Sequence, residues 1–159
     1  MIYKRKLISF IINNTNILQA LGIDISTESE EDIVYKYIFP YLKNPNTQLI
    51  SKSFITMEVD SEIMSSNKIY KDFIVTICVI CHDEEMKFKD EVMKIGGTRL
   101  DYISGEIVNM FNWENIGFTL ELQKDSGSIL NDSYFIRELV FKTISANSMS
   151  NGVKINGIR

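Results

Sequence analysis

Apolar positions along this chain recur first at helical spacing and then at strand spacing. Over residues 3–21, Leu7, Ile8, Ile11, Ile12, Ile17, Leu18 and Leu21 approximate one helical face, with a break at Asn13-Asn14 and a stop at Gly22. Ser26, Thr27 and Ser29, with Glu28, Glu30, Glu31 and Asp32, put cap candidates and acids ahead of Ile33, Val34, Tyr37 and Ile38. Acids there complement the positive end of a helix dipole, which predicts a second, short helix ending before Pro40. Pro40 disfavours helical geometry at Phe39, and Pro45 within Lys43-Asn44-Pro45-Asn46 predicts a turn.

The period then changes. Residues 48–64 alternate around Ile50, Phe54, Met57 and Val59, and residues 69–81 are rich in β-branched and aromatic side chains. The polar Ser65-Ser66-Asn67 between them makes two long antiparallel strands the simplest arrangement. The charged stretch 82–94 predicts a surface loop or irregular helix. Residues 98–112 carry the clearest helix, with Leu100, Ile103, Ile107 and Phe111 in one stripe widened by Val108. Thr98 is its N-cap and Asp101 completes a capping box in place of the usual Glu or Gln, while Gly96-Gly97 permits the reversal leading in. Residues 118–123 and 134–144 alternate again, with a hairpin expected through Ser126-Gly127-Ser128 and Asn131-Asp132-Ser133.

The order is helix, helix, strand, strand, helix, strand, strand, without repeat or linker. It predicts an α+β fold: a mostly antiparallel sheet built from hairpins, packed by a central amphipathic helix and N-terminal helices. Residues 1–145 are expected to form a single domain and residues 146–159, rich in Ser, Asn and Gly, an extended C-terminal arm or tail.

Composition and charge narrow the function. The 159 residues are 45% hydrophobic and 24% charged, ordinary globular usage that argues against disorder. A net charge of -4 leaves no global positive field for a phosphate backbone. Lys4-Arg5-Lys6 precedes an apolar run that Ser9 interrupts and Asn13-Asn14 ends, too short for a bilayer and without a small-x-small cleavage site. No membrane association and a cytoplasmic origin are expected. Cys78 and Cys81 lie three apart in a strand pattern, so their side chains point to opposite faces and do not readily pair, which fits a reducing compartment.

Cys78, Cys81 and His82 invite a metal site, since two thiolates and an imidazole are common zinc ligands. The chain has no other Cys or His, so Asp83 or Glu85 would have to complete it, and a cysteine in an apolar strand is ordinarily a small buried hydrophobe. His82 is also the sole imidazole for acid–base chemistry, yet no Gly-x-Ser-x-Gly elbow partners it, and the adjacent Cys81 points away from it on an extended strand. The acids at 28–32, 83–85 and 90–91 do not follow the order of an EF-hand, and Gly96-Gly97-Thr98 lacks the Walker lysine pattern. The expectation is therefore no enzyme, no catalytic residue, no metal and no cofactor. Tyr35, Tyr37, Phe39 and Tyr41 around Pro40, with Phe111 and Trp113, have mostly apolar or acidic neighbours, so they read as core or protein interface rather than a base-stacking platform.

Asp72-Phe73-Ile74-Val75 through Cys81-His82, then Gly97-Thr98-Arg99-Leu100-Asp101-Tyr102-Ile103 to Met110-Phe111-Asn112, and the late Arg137-Glu138-Leu139-Val140-Phe141, together resemble neck proteins of long-tailed bacteriophages. The likeness is to the tail-terminator, or tail-completion, type and covers residues from about 51 to 144. It implies a small α+β virion protein, assembled in the host cytoplasm, whose homo-oligomeric and usually hexameric ring caps the tail tube protein and joins it to the head-tail connector. DNA would pass through the lumen without specific binding, which the acidic balance suits. Thr98, Arg99 and Asp101 at the helix start are the candidates for setting interface register, or for capping and positioning the helix. Another neck component, a head-completion adaptor or stopper, is the alternative within that class; a small metal-dependent hydrolase using His82 is the alternative outside it.

Overall fold

In the computed structural model, residues 2–45, 52–63, 71–87 and 97–144 are described. Helices α1 (Ile2–Ile12) and α2 (Thr15–Ala20) lead into the single turn α3 (Glu30–Ile33), the short strand β1 (Ile38–Phe39) and the long strands β2 (Ser53–Ile63) and β3 (Lys71–His82). A 3-10 turn at Asp83–Glu85, helix α4 (Arg99–Phe111) and strands β4 (Thr119–Ile129) and β5 (Tyr134–Ile144) follow. The five strands form one mixed sheet in the order β1-β2-β3-β5-β4, with β1 parallel to β2 and the other pairings antiparallel. The α+β architecture with a mostly antiparallel sheet, expected from the pattern, is the one observed.

The pleat explains why residues 77–80 read as an unbroken apolar run. Phe73, Val75, Ile77, Val79 and Cys81 face the helices and share a core with Leu7, Ile11, Leu100, Ile103, Ile107 and Phe111. Register pairs Ile77 with Met57 on one side and Leu139 on the other, so three strands supply one layer. The alternate residues Cys78 and Ile80 pack with Phe39 and Phe54 on the opposite face. A central strand buried on both sides has no polar face to show.

Local signals set the helix ends. Asn14 Oδ1 accepts the Ile17 N–H at 3.1 Å, which makes the expected break the N-cap of α2. Gly22, at φ +77, closes α2 with Gly22 N–H to Gln19 and Ile23 N–H to Leu18, the paired bonds of a Schellman ending. Thr98 Oγ1 accepts the Asp101 N–H at 3.2 Å while the Asp101 carboxylate accepts the Thr98 N–H at 3.3 Å, completing the capping box. Thr98→Ala should therefore lower stability by about 1 kcal/mol; a urea midpoint that does not move would show the cap to be dispensable.

Two expectations are corrected. The helix predicted through Val34, Tyr37 and Ile38 stops at Ile33: Val34 is extended, Tyr35 has φ +72, and Ile38–Phe39 is strand β1. Ile38 packs in the helix-side core and Phe39 in the opposite cluster, and only a period of two sends adjacent side chains to opposite faces. The hairpin turn occupies only the second of its two expected segments: Ser126-Gly127-Ser128 belongs to β4, while at Asn131-Asp132-Ser133 the Asn131 Oδ1 accepts the Ser133 and Tyr134 N–H groups, both at 2.9 Å, to make the reversal. The expectations at Ile50, at Ser65-Ser66-Asn67, over residues 88–94, at Gly96 and for the arm at 146–159 lie outside the described residues.

Candidate functional surfaces

The sheet separates the three residues that suggested a metal. Cys81 faces the helices, whereas Cys78 and His82 lie on the other face, about 13 Å apart at ~3.3 Å per residue. Burial pushes the Cys78 thiol up to about 11 and the Cys81 thiol up to about 12, so both stay protonated near neutral pH. His82 Nδ1 lies 2.7 Å from Asp83 Oδ1 and its ring meets Tyr134 edge-on at 4.9 Å. The Glu84 N–H approaches Nδ1 at 3.3 Å but reaches Asp83 Oδ1 at 2.8 Å, so Nδ1 is assigned as the donor to Asp83. No group of three or more His, Cys, Asp or Glu among the described residues is placed to hold a metal ion. The acids at 28–32 act locally: Ser29 and Asp32 form a capping box and Glu28 pairs with Lys36.

Thr98, Arg99 and Asp101 are brought together at a junction of elements. Arg99 Nε donates to the Glu85 carbonyl at 2.7 Å and its Nη1 to the Ala20 carbonyl, tying α4 to the turn after β3 and to the end of α2. Asp101 accepts from Arg137 on β5, and Arg137 in turn holds both carboxylate oxygens of Asp125 on β4, at 2.6 and 3.0 Å. The Thr98 hydroxyl, then the Thr98 N–H and the Arg137 charge, keep the Asp101 carboxyl below its ordinary range against the opposing effect of burial. These side chains orient α4 against both hairpins through bonds within the chain. Arg137 escaped the sequence reading because its partners lie 12 and 36 residues away.

Features of a different kind lie at the two margins of the sheet. Helices α3 and α4 are each followed, one residue past the cap, by a residue in the left-handed region: Tyr35 at φ +72 and Trp113 at φ +65. The same position after α2 is Gly22. A side chain with a Cβ costs about 1–2 kcal/mol in that region, and both aromatics are exposed, 62% and 57%. Tyr35 lies three residues before β1 and donates its N–H to the Ile38 carbonyl at 2.9 Å, while the Trp113 N–H donates to the Leu120 carbonyl of β4 at 2.8 Å. Tyr35 begins a run of rings through Tyr41 and Phe39 to the buried Phe54, with centroid separations of 6.4, 5.7 and 5.7 Å. Beside it, Leu42, Cys78, Ile80, Leu130 and Ile136 line an open depression of about 380 Å³. The sequence marked these aromatics as core or interface; the structure buries Phe39 and Phe111 and exposes Tyr35, Tyr41 and Trp113.

A family model described as YomW matches residues 5–143, from α1 almost to the end of β5. The chain belongs to the YomW family. The name is that of a Bacillus phage SPBc2-type protein, and the YomW-family chain is accordingly phage-associated. No curated protein matches it. The match takes in both sheet margins, the Thr98–Arg99–Asp101 junction and every strand. No helix among its described residues is long and apolar enough to cross a membrane.

Proposed function

We propose that this chain is a structural virion protein of a long-tailed phage or phage-tail-like particle, and no enzyme. Its copies form a ring that terminates the tail tube and joins it to the head connector. The observation that carries this reading is an open sheet edge. At Leu120 and Leu122 the outer side of β4 is closed by the Trp113 N–H and the Asn112 side chain, but over residues 124–129 it meets no strand among the described residues. An open edge is a template for pairing with another copy, and Lys124, Asp125, Ser126 and Ser128 there discourage indiscriminate stacking. The phage-associated family supports the setting. The bonding of Thr98, Arg99, Asp101 and His82 within the chain supports work done by surfaces.

In this reading the partners are further copies in a hexameric ring, the tail tube protein and the head-tail connector. The site of action is the virion neck, with assembly in the host cytoplasm and no membrane. A net charge of -4 lets DNA slide through the lumen without adhering. Light scattering after size exclusion, then negative-stain imaging with and without tail tubes, should reveal rings. A protein that stays monomeric throughout, tubes included, overturns the proposal.

A further inference from the structure

We propose that the copies join by strand pairing, the open edge of β4 in one copy adding antiparallel to an open edge of β2 in the next, with Gly127 opposite Ser61. The inference rests on the ring reading and names the two surfaces that build it. A cyclic ring requires a heterologous contact, in which two different patches of the same chain meet head to tail. The second patch exists because β1 pairs with β2 only at Ile55 and Thr56. Just beyond, the Val59 N–H bonds at 3.0 Å to Glu58 Oε1, which Lys4 holds, and this closes the edge at that point. Residues 60–63 then meet no strand on their outer side among the described residues. The open stretches at 124–129 and 60–63 thus lie at diagonally opposite corners of the sheet.

Direction, face and stagger agree with this pairing. Strands β2, β3, β5 and β4 are successively antiparallel, so the next copy's β2, placed after β4, continues the alternation. On β2 the Ile55 N–H points outward to the Tyr37 carbonyl and the Val59 N–H to Glu58, so the odd-numbered residues aim their backbone groups at the edge. On β4 the Leu130 N–H points inward to the Tyr134 carbonyl at 2.8 Å, which turns Asp125, Gly127 and Ile129 outward. The same residues mark the helix-covered face of each strand, since Ile55 and Met57 belong to that core and Asp125 stands opposite its Leu139. Joining the outward groups therefore also matches the faces, whereas a slip of one residue matches neither. Gly127 is level with Ile55 through Arg137 and Val79, so pairing it with Ser61 staggers successive copies by about 20 Å at ~3.3 Å per residue. Four strands spaced ~4.8 Å apart advance the sheet by about 19 Å, and the two displacements give a strand tilt of about 45°, within the range at which sheets close on themselves. The register also sets Ser128 opposite the exposed Asp60, a hydroxyl facing a carboxylate. A Cβ on Gly127 would make only an ordinary contact, 3.9 Å from the Ile136 carbonyl oxygen, so the chain's own packing does not require glycine there; close approach of another backbone suits it.

The test uses the full chain with Asp60→Cys and Ser128→Cys, singly and together. In the proposed register these two positions form a non-hydrogen-bonded pair between copies, with Cα atoms about 4.5 Å apart, a span a disulfide bridges. Mild oxidation of the assembled double variant should give a ladder of covalent oligomers on a non-reducing gel, and a mixture of the two single variants a covalent heterodimer. Each single variant alone, and the wild type with its two buried cysteines, should stay unlinked. A second arm uses Gly127→Pro, which removes an outward N–H and leaves the ladder to β5 intact; it should remain folded by circular dichroism yet assemble at least roughly ten-fold more weakly. Rings of the double variant that do not link, Ser128→Cys linking to itself, or Gly127→Pro forming rings at wild-type concentrations each overturn this inference and leave the ring reading standing. A wild-type chain that never assembles overturns both.

Discussion

Phe111→Ala should lower stability by about 3–5 kcal/mol, the usual cost of removing a buried phenylalanine. Phe111 is fully buried at the C-terminal end of α4, where its ring meets Phe10 of α1 at 6.4 Å and Phe141 of β5 at 6.3 Å, both edge-on. It therefore joins the first helix, the central helix and the sheet at one point. Deletion leaves a cavity that three separately anchored elements cannot collapse to fill. At roughly 2–4 °C per kcal/mol for a chain of this size, Tm should fall by roughly 10 °C or more. A loss below about 1 kcal/mol would mean that α4 does not dock through this ring.

Lys4→Met should cost about 2–3 kcal/mol at neutral pH, the range for removing one member of a largely buried charged hydrogen-bonded pair, discounted for the partner's access to water. Lys4 is only 6% exposed, and its ammonium donates to the Pro40 carbonyl at 2.7 Å and to Glu58 Oε1 at 2.6 Å. Methionine keeps the apolar stem in place and leaves both acceptors without that donor. Glu58, with its side chain 34% exposed, can recover water, which limits the loss. The pH dependence separates this effect from simple packing. The Lys4 hydrogen bond holds the Glu58 carboxyl below its ordinary value. A depressed carboxyl contributes stability above the unfolded value of about 4.3 and loses it as pH falls through the lower folded value. Urea midpoints measured from neutral pH downward should thus fall less steeply in Lys4→Met than in the wild type below about pH 4.3. Parallel curves would show that the ion pair adds nothing specific.

What the amino-acid order determined by itself was whatever depends on near neighbours. The Thr98–Asp101 capping box, the Asn14 cap and the Gly22 stop each close bonds within a few residues, so residue type and spacing suffice to read them. Alternation in residues 134–144 marked β5 with its observed bounds, and strand parity put Cys78 and Cys81 on opposite faces. That parity also sets Cys81 apart from Cys78 and His82, because adjacent side chains diverge on a pleated strand.

Tertiary structure alone decided the rest. A helical reading of residues 33–38 was locally reasonable, but a parallel pairing with β2, and burial on both faces at once, made Ile38–Phe39 a strand. Lys4 looks like part of a basic run until its partner, 54 residues away, makes it a buried strut. Thr98, Arg99 and Asp101 carry local cap chemistry, yet their ties to Ala20, Glu85 and Arg137 appear only when α2, β3 and β5 converge. Tyr35 and Trp113 show the limit most plainly. Their residue types suggest an interface, but their place on opposite margins of one sheet follows from strand order, which is set by contacts among residues far apart in the chain and leaves no periodic mark within either segment.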